Sequence, residues 1–103
     1  MKPWYALFWE FLHTVPLYSR NLPGAQPLTK EDAHTLLKAL SVGIPCNQCK
    51  NDYANLISDI KWDEIDLSND DWFFNVTVEI HNTINKKLQK PTLTFNEAKV
   101  VWY

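Results

Sequence analysis

A chain of 103 residues with 46% hydrophobic content can bury a core of its own as one domain, without help from disulfides or metals. Its net charge of −2 argues against a general nucleic-acid surface. Two glycines in the whole chain argue against a turn-rich β architecture and against glycine-rich phosphate loops, while five tryptophans and nine other aromatic residues are many for this length. Such rings either fill a core or wall a pocket for a flat ligand.

Trp4, Leu7, Phe8, Phe11, Leu12 and Val15 fall at helical spacing and predict a first helix. The stretch from Lys2 to Val15 is apolar but interrupted by Glu10 and His13, and has no small-residue cleavage site. It reads as neither a signal peptide nor a membrane span. Pro16 is expected to end or kink this helix. Pro16, Pro23, Gly24 and Pro27 make residues 16–28 the longest loop. Thr29, with Asp32 three residues on, forms a weak capping box for a second helix whose apolar face is Ala33, Leu36, Leu37 and Leu40. Gly43 is a natural stop. Pro45 and Cys46 begin a third helix, with Cys49, Tyr53, Leu56, Ile57 and Ile60 on one face. An acidic linker runs from Asp63 to Asp71.

Residues 72–90 carry two patterns at once. Phe74, Val76, Val78 and Ile80 alternate with polar residues as a strand would. Phe73, Val76, Ile80, Ile84 and Leu88 also form a helical stripe, with His81, Asn82 and Asn85 on its flank. The helix is preferred, because the pattern is long and an isolated strand has nothing to pair with. Thr94 and Glu97 form a last capping box, opening a short helix toward Trp102. Asn75-Val76-Thr77 matches a glycosylation sequon, which has meaning only in a secreted protein.

Cys46 and Cys49 are the only cysteines. A disulfide between them closes too small a loop to act as a staple, so the pair suggests dithiol–disulfide redox chemistry. At the first turn of a helix, Cys46 meets unpaired N–H groups and the positive end of the dipole, both of which favour a thiolate. Cys46 is then the outer sulfur and Cys49 the inner one. Half of a zinc site is an alternative, but its other ligands would be drawn from His13, His34 and His81, none of which has the usual close spacing. A thioredoxin-like fold needs a βαβ pattern that is not visible. Two buried cysteines packing as small apolar residues remain a further reading. With no disulfide framework, the chain does not depend on an oxidising compartment, and a cytoplasmic setting is expected.

The segment His81-Asn82-Thr83-Ile84-Asn85-Lys86-Lys87-Leu88-Gln89-Lys90-Pro91 gathers ring, amide and ammonium groups on one flank. An imidazole can stack on a heteroaromatic ring, amides can read ring edges and ribose hydroxyls, and lysines can meet phosphates. Alone, such a flank is more often a solvated helix face than a nucleotide site.

This H-N-x-[IV]-N-x-x-L-x-K-P pattern, downstream of a helix-opening C-x-x-C, resembles the Erv/ALR family of FAD-dependent sulfhydryl oxidases. Trp9-Glu10-Phe11-Leu12-His13 looks like that family's W-x-x-L-H segment, and Trp102 stands at the place of its C-terminal aromatic. The resemblance covers nearly the whole chain. It implies an all-α fold, a four-helix bundle with a short fifth C-terminal helix and FAD held within the bundle, in a single domain over residues 1–103. It further implies that Cys46 exchanges with substrate while Cys49 lies against the isoalloxazine ring. Trp9 and His13 would line the flavin. His81, Asn82, Asn85 and Lys90 would hold adenosine and phosphates, with Trp102 near the adenine and Tyr5, Val78 and Lys86 as neighbours.

The implied partners are a protein dithiol, supplied by a separate thiol-carrier protein, and molecular oxygen, with hydrogen peroxide as product. A homodimer is implied, and neither nucleic acid, membrane nor metal. Tyr5 departs from the family's usual glycine. The family's structural disulfides and shuttle C-x-x-C are missing, so the chain is similar to the minimal forms of large DNA viruses. For such a form the expected setting is the host cytoplasm or the virion. The rival reading is a non-enzymatic helical interaction module whose C-x-x-C binds zinc.

Overall fold

The computed structural model describes residues 3–21, 23, 24, 26 and 28–102. Lys2, at the start of the apolar stretch, and Pro27, in the expected loop, lie outside the described residues. Five α-helices follow one another: α1 (Trp4–Asn21), α2 (Lys30–Ser41), α3 (Asn47–Asp59), α4 (Trp72–Lys87) and α5 (Phe95–Trp102). A short 3-10 turn at Trp62–Glu64 interrupts the acidic linker. The fold is therefore an all-α bundle of four core helices with a short C-terminal helix.

Pro16 neither ends nor closes α1, which runs through it to Asn21. A proline inside a helix removes one N–H and costs about 3 kcal/mol. Here Pro16 is buried, as are Leu12, His13 and Leu17 on the same face, and burial of that face offsets the loss. The expected loop accordingly shortens from its N-terminal side.

The start of α2 follows its sequence signal. Asp32 N–H donates to Thr29 Oγ1 at 3.0 Å, and Thr29 N–H donates to Asp32 Oδ2 at 3.3 Å. Ala33 and Leu37 are fully enclosed on its inner face. At its end, Val42, Gly43 and Ile44 each donate to the carbonyl three residues back. Gly43 is not left-handed; among the glycines only Gly24 has a positive φ. The helix stops there because the next residue, Ile44, turns inward and is buried.

α3 begins one residue later than expected, with Cys46 as its N-cap and Pro45 ahead of it. Tyr53 ties α3 to α2: its ring is 1% exposed, and its hydroxyl donates to Leu37 O at 2.7 Å. Residues 72–87 are helical throughout, which settles the two-way pattern. Leu88 caps the helix, Gln89 takes φ 57°, Gln89 N–H donates to Lys86 O and Lys90 N–H to Asn85 O. This pair of bonds is a Schellman closure with glutamine in the place that favours glycine.

α4 stands between two packed regions. One face meets α1, α2 and α3 through Phe73, Val76 and Ile80, against Leu12, Leu37, Tyr53 and Ile57. The other meets α1 and α5 through Phe74 and Val78, against Leu17 and Ala98. The capping box that opens α5 forms as the sequence suggests, with Thr94 N–H on Glu97 Oε1 and Glu97 N–H on Thr94 Oγ1.

Candidate active site

The cysteine pair sits where α3 opens. Cys46 Sγ accepts the Cys49 N–H at 3.2 Å, so the sulfur does the work an N-cap oxygen usually does. Both thiols are free and half-buried. Cys49 packs against the main core. The Cys46 thiol lies below the usual thiol range because the Cys49 side chain and then the Cys49 backbone N–H hydrogen-bond to its sulfur. The Cys49 thiol is pushed up, first as the donor to Cys46 and then by burial. The two thiols therefore differ, with Cys46 lowered and Cys49 raised.

Ring contacts connect this helix to the flank of α4. Tyr53, one turn past Cys49, meets Phe8 edge-on with centroids 5.5 Å apart, and Phe8 meets Trp9 at 5.0 Å. Trp9 lies flat on His81, with centroids 3.8 Å apart and planes inclined by 6°. His13 sits beside both: its Nε2 is 2.9 Å from His81 Nδ1, and its Nδ1 is 2.9 Å from Thr77 Oγ1. Trp102 reaches back from α5 to place its ring 4.8 Å from that of His13. Residues far apart in sequence thus form one aromatic cluster across α1, α4 and α5.

Burial and then the neighbouring His81 hold His13 down from 6.5 to about 3, and burial and then Lys90 hold His81 down from 6.5 to about 4. Both rings are neutral near pH 7. The two histidines are thus groups for stacking and hydrogen bonding rather than fixed positive charges.

The remaining predicted residues fall around this cluster in distinct ways. Val78, Asn82 and Asn85 join His13 and His81 around a cavity of about 20 Å³, closed by Leu93 and Ala98. Asn82 commits both ends of its amide to Leu93: Nδ2 donates to Leu93 O at 2.6 Å, and Leu93 N–H donates to Oδ1 at 3.0 Å. It ties the segment between α4 and α5 down onto α4. Lys90 places Nζ 5.9 Å from the centroid of the exposed Tyr5 ring, across from α1. Lys86 is exposed on the last turn of α4. Thr77, which anchors His13, was not singled out from the sequence as a site residue. Its signal is its place one turn before His81 on the same helix face.

A larger cavity of about 580 Å³ opens on the opposite flank of α4, beside Ile60, Ile65, Trp72, Val76 and Glu79. None of the predicted site residues lines it. Among the described residues, no group of three or more His, Cys, Asp or Glu is placed to hold a metal ion. His34 packs its ring on Trp62, 5.1 Å between centroids. No helix of the described residues is long and apolar enough to cross a membrane.

The donor set suits FAD. The Trp9, His81 and Trp102 rings, the Asn85 amide and the exposed Lys86 and Lys90 ammonium groups are the kinds of group that flat rings, ring edges and a pyrophosphate call for.

Comparison with known proteins agrees. The Erv1 / Alr family model matches residues 6–103. An FAD-linked sulfhydryl oxidase of African swine fever virus is 26% identical over 102 residues, covering 99% of this chain and 82% of that protein. A protein of invertebrate iridescent virus 6, provisionally given the same name, is 27% identical over 104 residues, with 96% and 91% covered. A frog virus 3 protein, also provisionally so named, is 32% identical over 66 residues, which are 64% of this chain and 43% of its own length. No solved structure matches the chain significantly. With the family pattern running through α1 to α5, the chain belongs to the Erv1/Alr family.

Proposed function

We propose that the protein is an FAD-linked sulfhydryl oxidase that forms disulfides in a partner protein, with Cys46 as the port for electrons and Cys49 as their exit. The observation that carries this reading is the asymmetry of the pair. Cys46 caps α3 with a stabilised sulfur, while Cys49 packs inward on the core that holds Phe8 and Trp9.

The cycle starts from a Cys46–Cys49 disulfide. A thiolate of the partner attacks Cys46, forming a mixed disulfide and releasing Cys49 as a thiolate that takes up a proton. The partner's second thiolate attacks its own bonded sulfur, breaking the mixed disulfide and releasing Cys46 as a thiolate. Two electrons now reside on the pair, and the partner holds a new disulfide. The hydrogen bonds that lower the Cys46 thiol make Cys46 a good leaving group in this second step. FAD, when bound, would supply the two-electron acceptor for the pair and the reducing power for oxygen, which with two protons gives hydrogen peroxide. Trp9 and His81 would stack against its rings, Asn85 and Lys90 would hold its polar groups, and Trp102 would close the site from α5. Cys46, at the opening of α3, would be the sulfur that the partner reaches, which fits a separate thiol-carrier protein. The same reading makes the protein a homodimer, with the exposed apolar face of α1 as its surface.

Purified protein should be yellow, with a flavin spectrum, and should consume oxygen when given a simple dithiol. Cys46→Ser should abolish turnover of a protein dithiol yet keep a long-wavelength absorbance band between the Cys49 thiolate and oxidised flavin. Cys49→Ser should lose both the band and flavin reduction. A band found only in Cys49→Ser would reverse the two roles, and a colourless protein carrying zinc would refute the oxidase.

A further inference from the structure

The hydrogen bonds around His13 permit one placement of protons. Thr77 Oγ1 lies 2.7 Å from Phe74 O, and a carbonyl can only accept, so the hydroxyl spends its single proton there. Toward His13 Nδ1, 2.9 Å away, the same oxygen can therefore only accept, and Nδ1 must carry a proton. His13 is 1% exposed and neutral, so its Nε2 is bare. His81 Nδ1, 2.9 Å from that bare nitrogen, must donate to it. His81 is neutral as well, which leaves its own Nε2 without a proton.

We propose that Thr77 is a positioning residue that sets the tautomers of His13 and His81, so that His81 offers Nε2 as a hydrogen-bond acceptor in the nucleotide site. Both rings then hold the proton on Nδ1, the less common form for free histidine in water. The relay runs from the Phe74 carbonyl through Thr77 and His13 to His81, and reverses if its first link is cut. Its consequence for the ligand rests on the oxidase reading. An acceptor suits an amino or hydroxyl group of FAD and repels a phosphate oxygen, so His81 would select the ring or sugar part of the cofactor and leave the pyrophosphate to the lysines.

The tautomers can be read directly. Protein labelled with nitrogen-15 histidine and loaded with FAD is examined at pH 7 by long-range proton–nitrogen correlation, which separates protonated from bare ring nitrogens. The expected pattern is a proton on Nδ1 and none on Nε2, in both His13 and His81. Thr77→Val keeps the side-chain shape and removes the acceptor. The proton of His13 should then move to Nε2, and that of His81 likewise. The dissociation constant for FAD should rise about tenfold, the scale of one misplaced hydrogen bond. Thr77→Ser should restore both the pattern and the affinity.

A proton on Nε2 of either ring in the unaltered protein would overturn the proposal, and that measurement stands even where Thr77→Val fails to fold. So would a Thr77→Val protein with unchanged tautomers or unchanged FAD affinity. A protein that takes up no FAD would overturn the oxidase reading instead, while its spectra would still decide the tautomers.

Discussion

His13 and His81 make the folded state sensitive to acid. Both have pKa values lowered by burial, to about 3 and about 4 from 6.5 in the unfolded chain. Above pH 6.5 both are neutral folded or unfolded, and the full stability is present. As pH falls through 6.5, the unfolded chain takes up protons that the folded chain refuses, and stability drops. The slope is about 1.4 kcal/mol per pH unit for the enclosed His13, and less for His81, which is half-buried and partly screened. The urea midpoint should therefore fall steadily between pH 6.5 and 5, a window above the usual carboxylate range. A midpoint that stayed level across it would mean that the folded protein protonates these rings as freely as the unfolded one does.

At the scale of the element, the closure of α4 carries a removable strain. Among the described residues Gln89 is the one non-glycine with a positive φ, at 57°, and it holds that conformation to complete the Schellman bonds. A side chain in the left-handed region costs roughly 1–2 kcal/mol, part of which glycine gives back through its freer unfolded chain. Gln89→Gly should raise stability by about 0.5–1 kcal/mol, read as a higher urea midpoint at unchanged slope. A lowered midpoint would show that the glutamine side chain contributes more than its backbone costs. The closure matters because the next residues bring Lys90 over to Tyr5 and Leu93 onto Asn82, and so set where α5 begins.

Across the whole molecule, α4 is the shared wall and α1 is the helix left half-covered. Leu12, His13 and Leu17 of α1 face inward, while Trp4, Leu7 and Phe11 are 40%, 48% and 48% exposed at spacings of three and four residues. Such a stripe suits an isologous contact with a second copy, in which the same residues meet across a two-fold axis. Sedimentation at micromolar concentration should give a dimer, and Leu7→Glu with Phe11→Glu should give a monomer. Wild-type protein sedimenting as a monomer would exclude this surface. At the other end, Lys99 pairs with Asp71 at 2.5 Å, pinning α5 to the start of α4 and so keeping Trp102 over His13.

Much of this architecture was legible in the residues alone. The capping boxes at Thr29 and Thr94, the apolar faces of α2 and α3 and the redox character of Cys46 and Cys49 depend on near neighbours in the chain, and near neighbours are what spacing reports. The length of the apolar pattern over residues 72–90, with no second strand to pair with, pointed to helix where the local alternation also suited a strand. Tertiary packing decided the rest. Pro16 stays inside α1 on a face that the rest of the fold buries. Asn82 serves Leu93 because the chain returns there after α4. His13, Thr77 and His81 become one relay only when α1 is laid against α4. Their bonds join positions 64 and 68 residues apart, and the tautomer each ring adopts depends on a partner that no local pattern can name.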